Sequence, residues 1–153
     1  MKKITLVLFV SLFCYSLNAQ TSEEDNVKQT IVDFFDAFHK QDTVRLKAMA
    51  KGNIKMQSIS VNADGETRLS ENDYHGFVKN IAGIPKDRTF KEKILSYDIR
   101  IDGNMANAWT PYEFWFDSNF SHCGVNSFQF VKEMDKWKII YLVDTRRREN
   151  CAK

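Results

Sequence analysis

Glycine and proline are scarce in this chain of 153 residues, at 6 and 2. That scarcity excludes collagen-like and low-complexity readings. The 12 Phe, 5 Tyr and 3 Trp need a core to bury them, which excludes a disordered chain. An excess of charge of one sign is also missing: Lys+Arg 22 against Asp+Glu 20 leaves a formal +2, no footprint for nucleic acid. Histidine is limited to His39, His75 and His122, with no i, i+4 pair and no His-Glu-x-x-His spacing, so no metal site is expected. The length suits one ordinary domain.

Long apolar runs are absent after the first twenty residues. Lys2 and Lys3 precede a mostly apolar run from Ile4 to Leu17, and Asn18-Ala19-Gln20 offers a cleavage point after Ala19. This pattern predicts a signal peptide over 1–19 and a single domain over 20–153, placed in the periplasm or secreted. The run is shorter than the ~20 apolar residues of a membrane span and contains Ser11 and Ser16. A lipid anchor on Cys14 would want small residues before it, where Leu12 and Phe13 stand. Losing Lys2 and Lys3 brings the basic count of 22 down to the acidic count of 20, so the mature chain is neutral. Cys14 leaves with the leader, and the remaining Cys123 and Cys151 suggest one disulfide in an exported chain. Such a bridge closes a loop of about 28 residues, for which chain entropy gives on the order of 3 to 4 kcal/mol.

Periodicity orders the rest. Val27, Ile31, Phe34, Phe35 and Phe38 form one apolar stripe over 23–40, opposite Gln29, Asp33, Asp36 and Lys40. Asp42 predicts the N-cap of a short helix over 43–50 that packs Val44, Leu46 and Met49, stopped by Gly52. A hairpin turning at Asp64-Gly65 follows, then a third helix capped by Ser70 with Asp73 three residues on, packing Tyr74, Phe77, Val78 and Ile81. Beyond residue 90 the pattern is antiparallel sheet. Asp102-Gly103 predicts a two-residue turn that pairs 101 with 104, 97 with 108 and 93 with 112. This puts Tyr97, Thr110, Tyr112 and Phe114 on one face and Trp109, Glu113 and Trp115 on the other. Strands over 121–132 and 137–145 complete an α+β fold, with three N-terminal helices on a strongly curved, mainly antiparallel sheet. Such a cone opens at a mouth suited to a small molecule.

Residues Phe34 to Asp42, the strand from Ala106 to Phe116, Phe128-Gln129-Phe130, and Trp137-Lys138-Ile139-Ile140 with Asp144 resemble the nuclear transport factor 2 superfamily, also called SnoaL-like. Ala108 to Phe114, Ser121 to Asn126, and Asp144-Thr145-Arg146-Arg147 resemble the small exported proteins grouped in it as lumazine-binding. The resemblance covers 24–151 and implies the cone-shaped, cystatin-like fold; it is weak for function, because this superfamily holds isomerases, dehydratases, cyclases and adaptors. Ketosteroid isomerase needs a carboxylate base and an oxyanion hole of a tyrosine and a neutral acid. With Asp42 and Phe128 as anchors those positions fall on Phe34, near Ser58 and on Asn126, none of which carries the required group.

Strand parity turns His122, Gly124, Asn126, Phe128 and Phe130 to one face, and the phenylalanines imply that it looks inward. The expected ligand-binding residues are therefore Phe38, Tyr97, Tyr112, His122 and Asn126, which suit a small hydrophobic or planar heterocyclic ligand. No catalytic residue, cofactor or metal is assigned. The reading is an exported binding or interaction protein. The alternative is a SnoaL-like cyclase, dehydratase or isomerase-type enzyme using His122 as a base, which needs a carboxylate or tyrosine within hydrogen-bond reach of it. Among nearby carboxylates, Glu113 faces away from Tyr112 and Asp144 pairs with Arg146 or Arg147. Arg146-Arg147-Arg148 reads as a solvated strand end, with Arg146 able to reach the mouth. The outward Trp109 and Trp115 form an apolar patch and suggest a homodimer packed through the sheet.

Overall fold

The structure is a computed structural model that describes residues 22–151. The proposed leader and its cleavage point lie outside these residues. Helix α1 (Glu23–His39) buries the predicted stripe of Val27, Ile31, Phe34, Phe35 and Phe38 together with Ala37. Ser22 caps it by accepting the Asp25 N–H at 3.1 Å, and three acidic residues fill its first turn, where the helix dipole favours them. Asp42 caps α2 (Thr43–Met49) as expected, accepting the Arg45 N–H at 3.0 Å. Leu46 of α2 is buried, but Val44 is 77% exposed and does not pack.

Strand β1 (Lys55–Val61) pairs antiparallel with β2 (Thr67–Asp73). Strand β2 runs through Ser70, so the predicted cap moves to Asp73. That carboxylate accepts the Gly76 N–H at 2.7 Å at the start of α3 (Tyr74–Ala82). The remaining strands are β3 (Phe90–Ile94), β4 (Asp98–Asp102), β5 (Met105–Phe116), β6 (Asn119–Glu133) and β7 (Lys136–Arg146). They form one seven-stranded sheet in the order β2-β1-β7-β6-β5-β3, with β4 also on β5. Every pairing is antiparallel except β1 with β7.

Two irregularities bend the long strands. Phe114 pairs His122 while Trp115 pairs Phe120, which leaves Ser121 as an extra residue in β6; Gln129 pairs Tyr141 while Phe130 pairs Ile139, which leaves Ile140 extra in β7. Such bulges increase local twist and curl the sheet around the helices. The predicted register of β4 on β5 is corrected by two residues. Asp102 pairs Met105 and Ile99 pairs Ala108, so the turn residues are Gly103 and Asn104. Gly103, at φ 56, takes the first central position, where a hairpin turn of this kind favours glycine. On β3 the shift is one residue, with Lys93 opposite Glu113.

The core lies between the helices and the concave face of the sheet, where Phe34, Phe128, Phe130, Ile139 and Trp137 meet. Glu23 ties the start of α1 to the sheet, accepting from Lys132 Nζ at 2.9 Å and Trp137 Nε1 at 3.2 Å. On the convex face Trp109 is 52% exposed, while Trp115 lies edge-on to Phe120 and donates to Glu113 at 3.2 Å.

Cys123 and Cys151 are disulfide-bonded, with Cα atoms 5.7 Å apart. The bridge fastens the chain end to β6, beside the backbone pair of Cys123 with Arg147. Cys151→Ser is expected to cost on the order of 3 kcal/mol, read as a lower urea midpoint. A midpoint equal to that of the oxidised wild type would show that the clasp contributes nothing.

Candidate functional site

Between α1, α3 and the curled sheet lies a cavity of about 320 Å³. One wall is aromatic. Phe38 and Phe77 stack at 5.8 Å, Phe34 lies parallel to Phe77 at 6.2 Å, and the series continues through Phe90 to Phe114 and His122, whose rings stack at 5.0 Å. The helix stripe supplies the first rings, and strand alternation supplies the last.

The opposite wall is polar, and the sheet register builds it. Glu92 of β3 faces Phe114 of β5, Tyr112 faces Gly124 of β6, Asn126 faces Asp144 of β7, and Asp144 faces Ser58 of β1. One belt of inward positions therefore crosses five strands. Within it Asp144 accepts from Ser58 Oγ, from Tyr112 Oη at 3.1 Å and from Arg146 Nε at 2.8 Å. The Tyr112 hydroxyl also lies 3.0 Å from the Thr145 carbonyl oxygen. Burial raises the Tyr112 pKa, and the Asp144 charge adds to the rise. Burial opposes the Arg146 charge, but its carboxylate partner outweighs burial and raises the pKa of the guanidinium.

Glu92 is in the opposite situation. It lines the cavity and keeps some exposure there, yet it lies deep in the protein mass. Among the described residues its side chain has one hydrogen-bond partner, Asn126 Nδ2 at 2.7 Å, and no cationic partner. Burial pushes its carboxyl up to about 8, helped by the Asp144 charge and opposed by the Asn126 hydrogen bond and the Arg146 charge. Its backbone N–H donates to His39 Nε2 at 2.8 Å, which fixes the neutral tautomer with the proton on Nδ1. His39 is held below the usual histidine range by burial and then by the Lys91 charge.

Four of the five residues expected at the site line this cavity: Phe38, Tyr112, His122 and Asn126. Tyr97 does not, and that expectation is corrected. Tyr97 falls in the break between β3 and β4, where Lys28 Nζ lies 5.2 Å from its ring centre. His122 accepts or donates at Nδ1 with Ser121 Oγ at 3.1 Å, and Tyr112 meets it edge to face at 5.8 Å with no hydrogen bond. Burial lowers its pKa, followed by the Arg146 charge. Glu92 is the residue that sequence reasoning missed. Its signal was the alternation Phe90-Glu92-Ile94, which puts a carboxylate in phase with two apolar positions.

No metal-capable group of three or more His, Cys, Asp and Glu occurs among the described residues, and no helix there is long and apolar enough to cross a membrane. Thr110, opposite Asn126, is fully buried with its hydroxyl unpaired.

No protein-family model matches this chain, and no curated protein matches it. Solved structures do. A nuclear-transport-factor-2-like protein of unknown function from Shewanella baltica is 15% identical with TM-score 0.57, covering 83% of this chain and 95% of its own. A candidate dehydratase of the same fold family from Streptomyces avermitilis is 12% identical, TM-score 0.60, covering 82% and 96%. The β subunit of a candidate aromatic-ring-hydroxylating dioxygenase from Novosphingobium aromaticivorans is 10% identical, TM-score 0.65, covering 85% and 92%. The fold is therefore nuclear-transport-factor-2-like.

Proposed function

We propose that this protein binds a small molecule in its cone cavity. The observation that carries the reading is the division of that cavity into a ring-lined wall and a belt of hydrogen-bonding groups, as expected of a site that orients a ligand with one apolar and one polar end. The enzyme reading through His122 has less support, because among the described residues the imidazole has the Ser121 hydroxyl as its hydrogen-bond partner and no hydrogen bond with a carboxylate or with Tyr112. The lumazine-binding label given by the resemblance is compatible with a planar two-ring occupant. Export is proposed on the leader-like N-terminus and the Cys123–Cys151 pair. Pairing of two copies through the convex face is supported by exposed Met105, Trp109 and Ile140.

Native mass spectrometry of protein purified from its own host is expected to show a non-covalent small-molecule adduct. Asn126→Ala should lose that adduct and Trp109→Ala should keep it. The reverse pattern would move the binding site to the convex face and end this reading.

A further inference from the structure

The polar belt does not offer its groups equally. Asp144 already accepts three hydrogen bonds, and Arg146, which supplies one of them, balances its charge. The single proton of the Tyr112 hydroxyl is claimed by two acceptors, Asp144 Oδ2 and the Thr145 carbonyl oxygen. Glu92 differs, for Asn126 occupies Oε1 and no described residue bonds Oε2. A carboxyl deep in the fold, served by one neutral amide, favours its protonated form near neutral pH, burial outweighing the Asn126 hydrogen bond and the Arg146 charge. Its free oxygen then presents an O–H to the cavity.

Charge in the cavity sums to zero when Glu92 and His122 are neutral and Asp144 is matched by Arg146. An anion entering it would lose hydration and meet an arginine whose charge Asp144 already balances, so it would have to compete with that carboxylate for the guanidinium. The rings of Phe34, Phe38, Phe77 and Phe114 favour a flat body. A volume of about 320 Å³ stands at the small end of ligand pockets, enough for one or two rings.

We infer that the cavity selects an uncharged, planar ring carbonyl compound of one or two rings, whose carbonyl oxygen accepts a hydrogen bond from the Glu92 carboxyl group. This rests on the cavity being the binding site proposed above. It also makes binding proton-linked. The groups that face Glu92 or sit against it are His39 of α1, Tyr112 of β5, His122 and Asn126 of β6, and Asp144 and Arg146 of β7. Of these, the histidines are already neutral near pH 7, and tyrosine and arginine titrate well above it. Between pH 7 and 9.5 Glu92 is thus the group expected to change charge, and the wall then gains an anion where the carbonyl oxygen would lie.

Three probes separate the possibilities in NMR titrations: 1-indanone, indane, which lacks the carbonyl, and indane-2-carboxylate, which is an anion. At pH 6.5 indanone is expected to bind at least tenfold tighter than either comparator, and its affinity to fall at least tenfold by pH 9.5. Glu92→Gln, whose amide can still donate to the ligand while accepting from Asn126, should stay within about threefold of wild type at pH 6.5 and lose the pH dependence. Glu92→Leu should bind indane and indanone alike. Equal binding of indanone and indane to the wild type, tighter binding of the carboxylate, or a flat pH profile for indanone would overturn the assignment of Glu92 and leave the cavity reading standing. Failure of all three probes to bind would overturn the cavity reading itself, and this inference with it.

Discussion

Glu92→Gln is expected to be more stable than the wild type at pH 9, by on the order of 3 kcal/mol, with the advantage shrinking to nearly nothing at pH 4.5. The unfolded chain releases the Glu92 proton near the ordinary carboxylate value of 4.5, whereas the folded protein holds it to about 8. Between those values the folded state binds more protons than the unfolded state. The contribution of Glu92 is therefore complete below 4.5 and is lost as pH rises toward 8. His39 and His122 act with the opposite sign: burial keeps both neutral in the fold, so stability falls as pH drops below 6.5 and the unfolded imidazoles take up protons. Both variants share those histidines, so the difference between their urea stabilities isolates Glu92. Parallel stability–pH curves for the two proteins would show that Glu92 ionises normally in the fold.

The second large effect is expected at Gly124. A Cβ built there would lie 1.7 Å from the Thr145 carbonyl oxygen and 2.9 Å from Tyr112 Cε1. The first of these is backbone of the adjacent strand, so no side-chain rotation relieves it. Gly124→Ala must push β6 away from β7 at the point where the Thr145 carbonyl and Asp144 share the Tyr112 hydroxyl. A cost of about 3 kcal/mol or more is expected, seen as a lower urea midpoint at unchanged m-value. A variant within 0.5 kcal/mol of wild type would mean that the two strands are not packed as described.

Much of the scaffold was legible because it follows from period and capping chemistry. The stripe from Val27 to Phe38, the Asp42 cap and the inward parity of Asn126, Phe128 and Phe130 all appear as the alternation demands. What failed was register. Asp102-Gly103 and Gly103-Asn104 are both acceptable two-residue turns, and choosing between them shifts the partners of β4 on β5 by two residues. The expectation of Tyr97 at the cavity comes from an alternation that runs on from Leu95 to Ile101 as if in one strand, whereas the chain breaks between β3 and β4. The cap at Ser70 failed because serine is also tolerated in an exposed strand, and pairing with β1 carried β2 on to Asp73.

The polar half of the site was hidden for a different reason. Glu92 alternates in phase with Phe90 and Ile94, but lysines on both sides make it look like solvated charge. Asp144 stands out in the sequence as a carboxylate in the sheet, but its neighbours Arg146 and Arg147 suggest an ordinary ion pair. Its hydrogen bond from Ser58, 86 residues away in sequence, depends on the parallel pairing of β1 with β7, which nothing local announces, and its bond from Tyr112 spans the two antiparallel pairings of β5, β6 and β7. The carboxylates took on meaning only when five strands aligned them.

The most direct test of the cavity as a binding site is a backbone-amide NMR titration with 1-indanone at pH 6.5. The expected perturbations fall on Glu92, Phe114, His122, Asn126 and Asp144, with the convex-face groove of Arg100, Asn107, Trp109 and Ser127 unmoved. Perturbations confined to that convex groove would contradict the account.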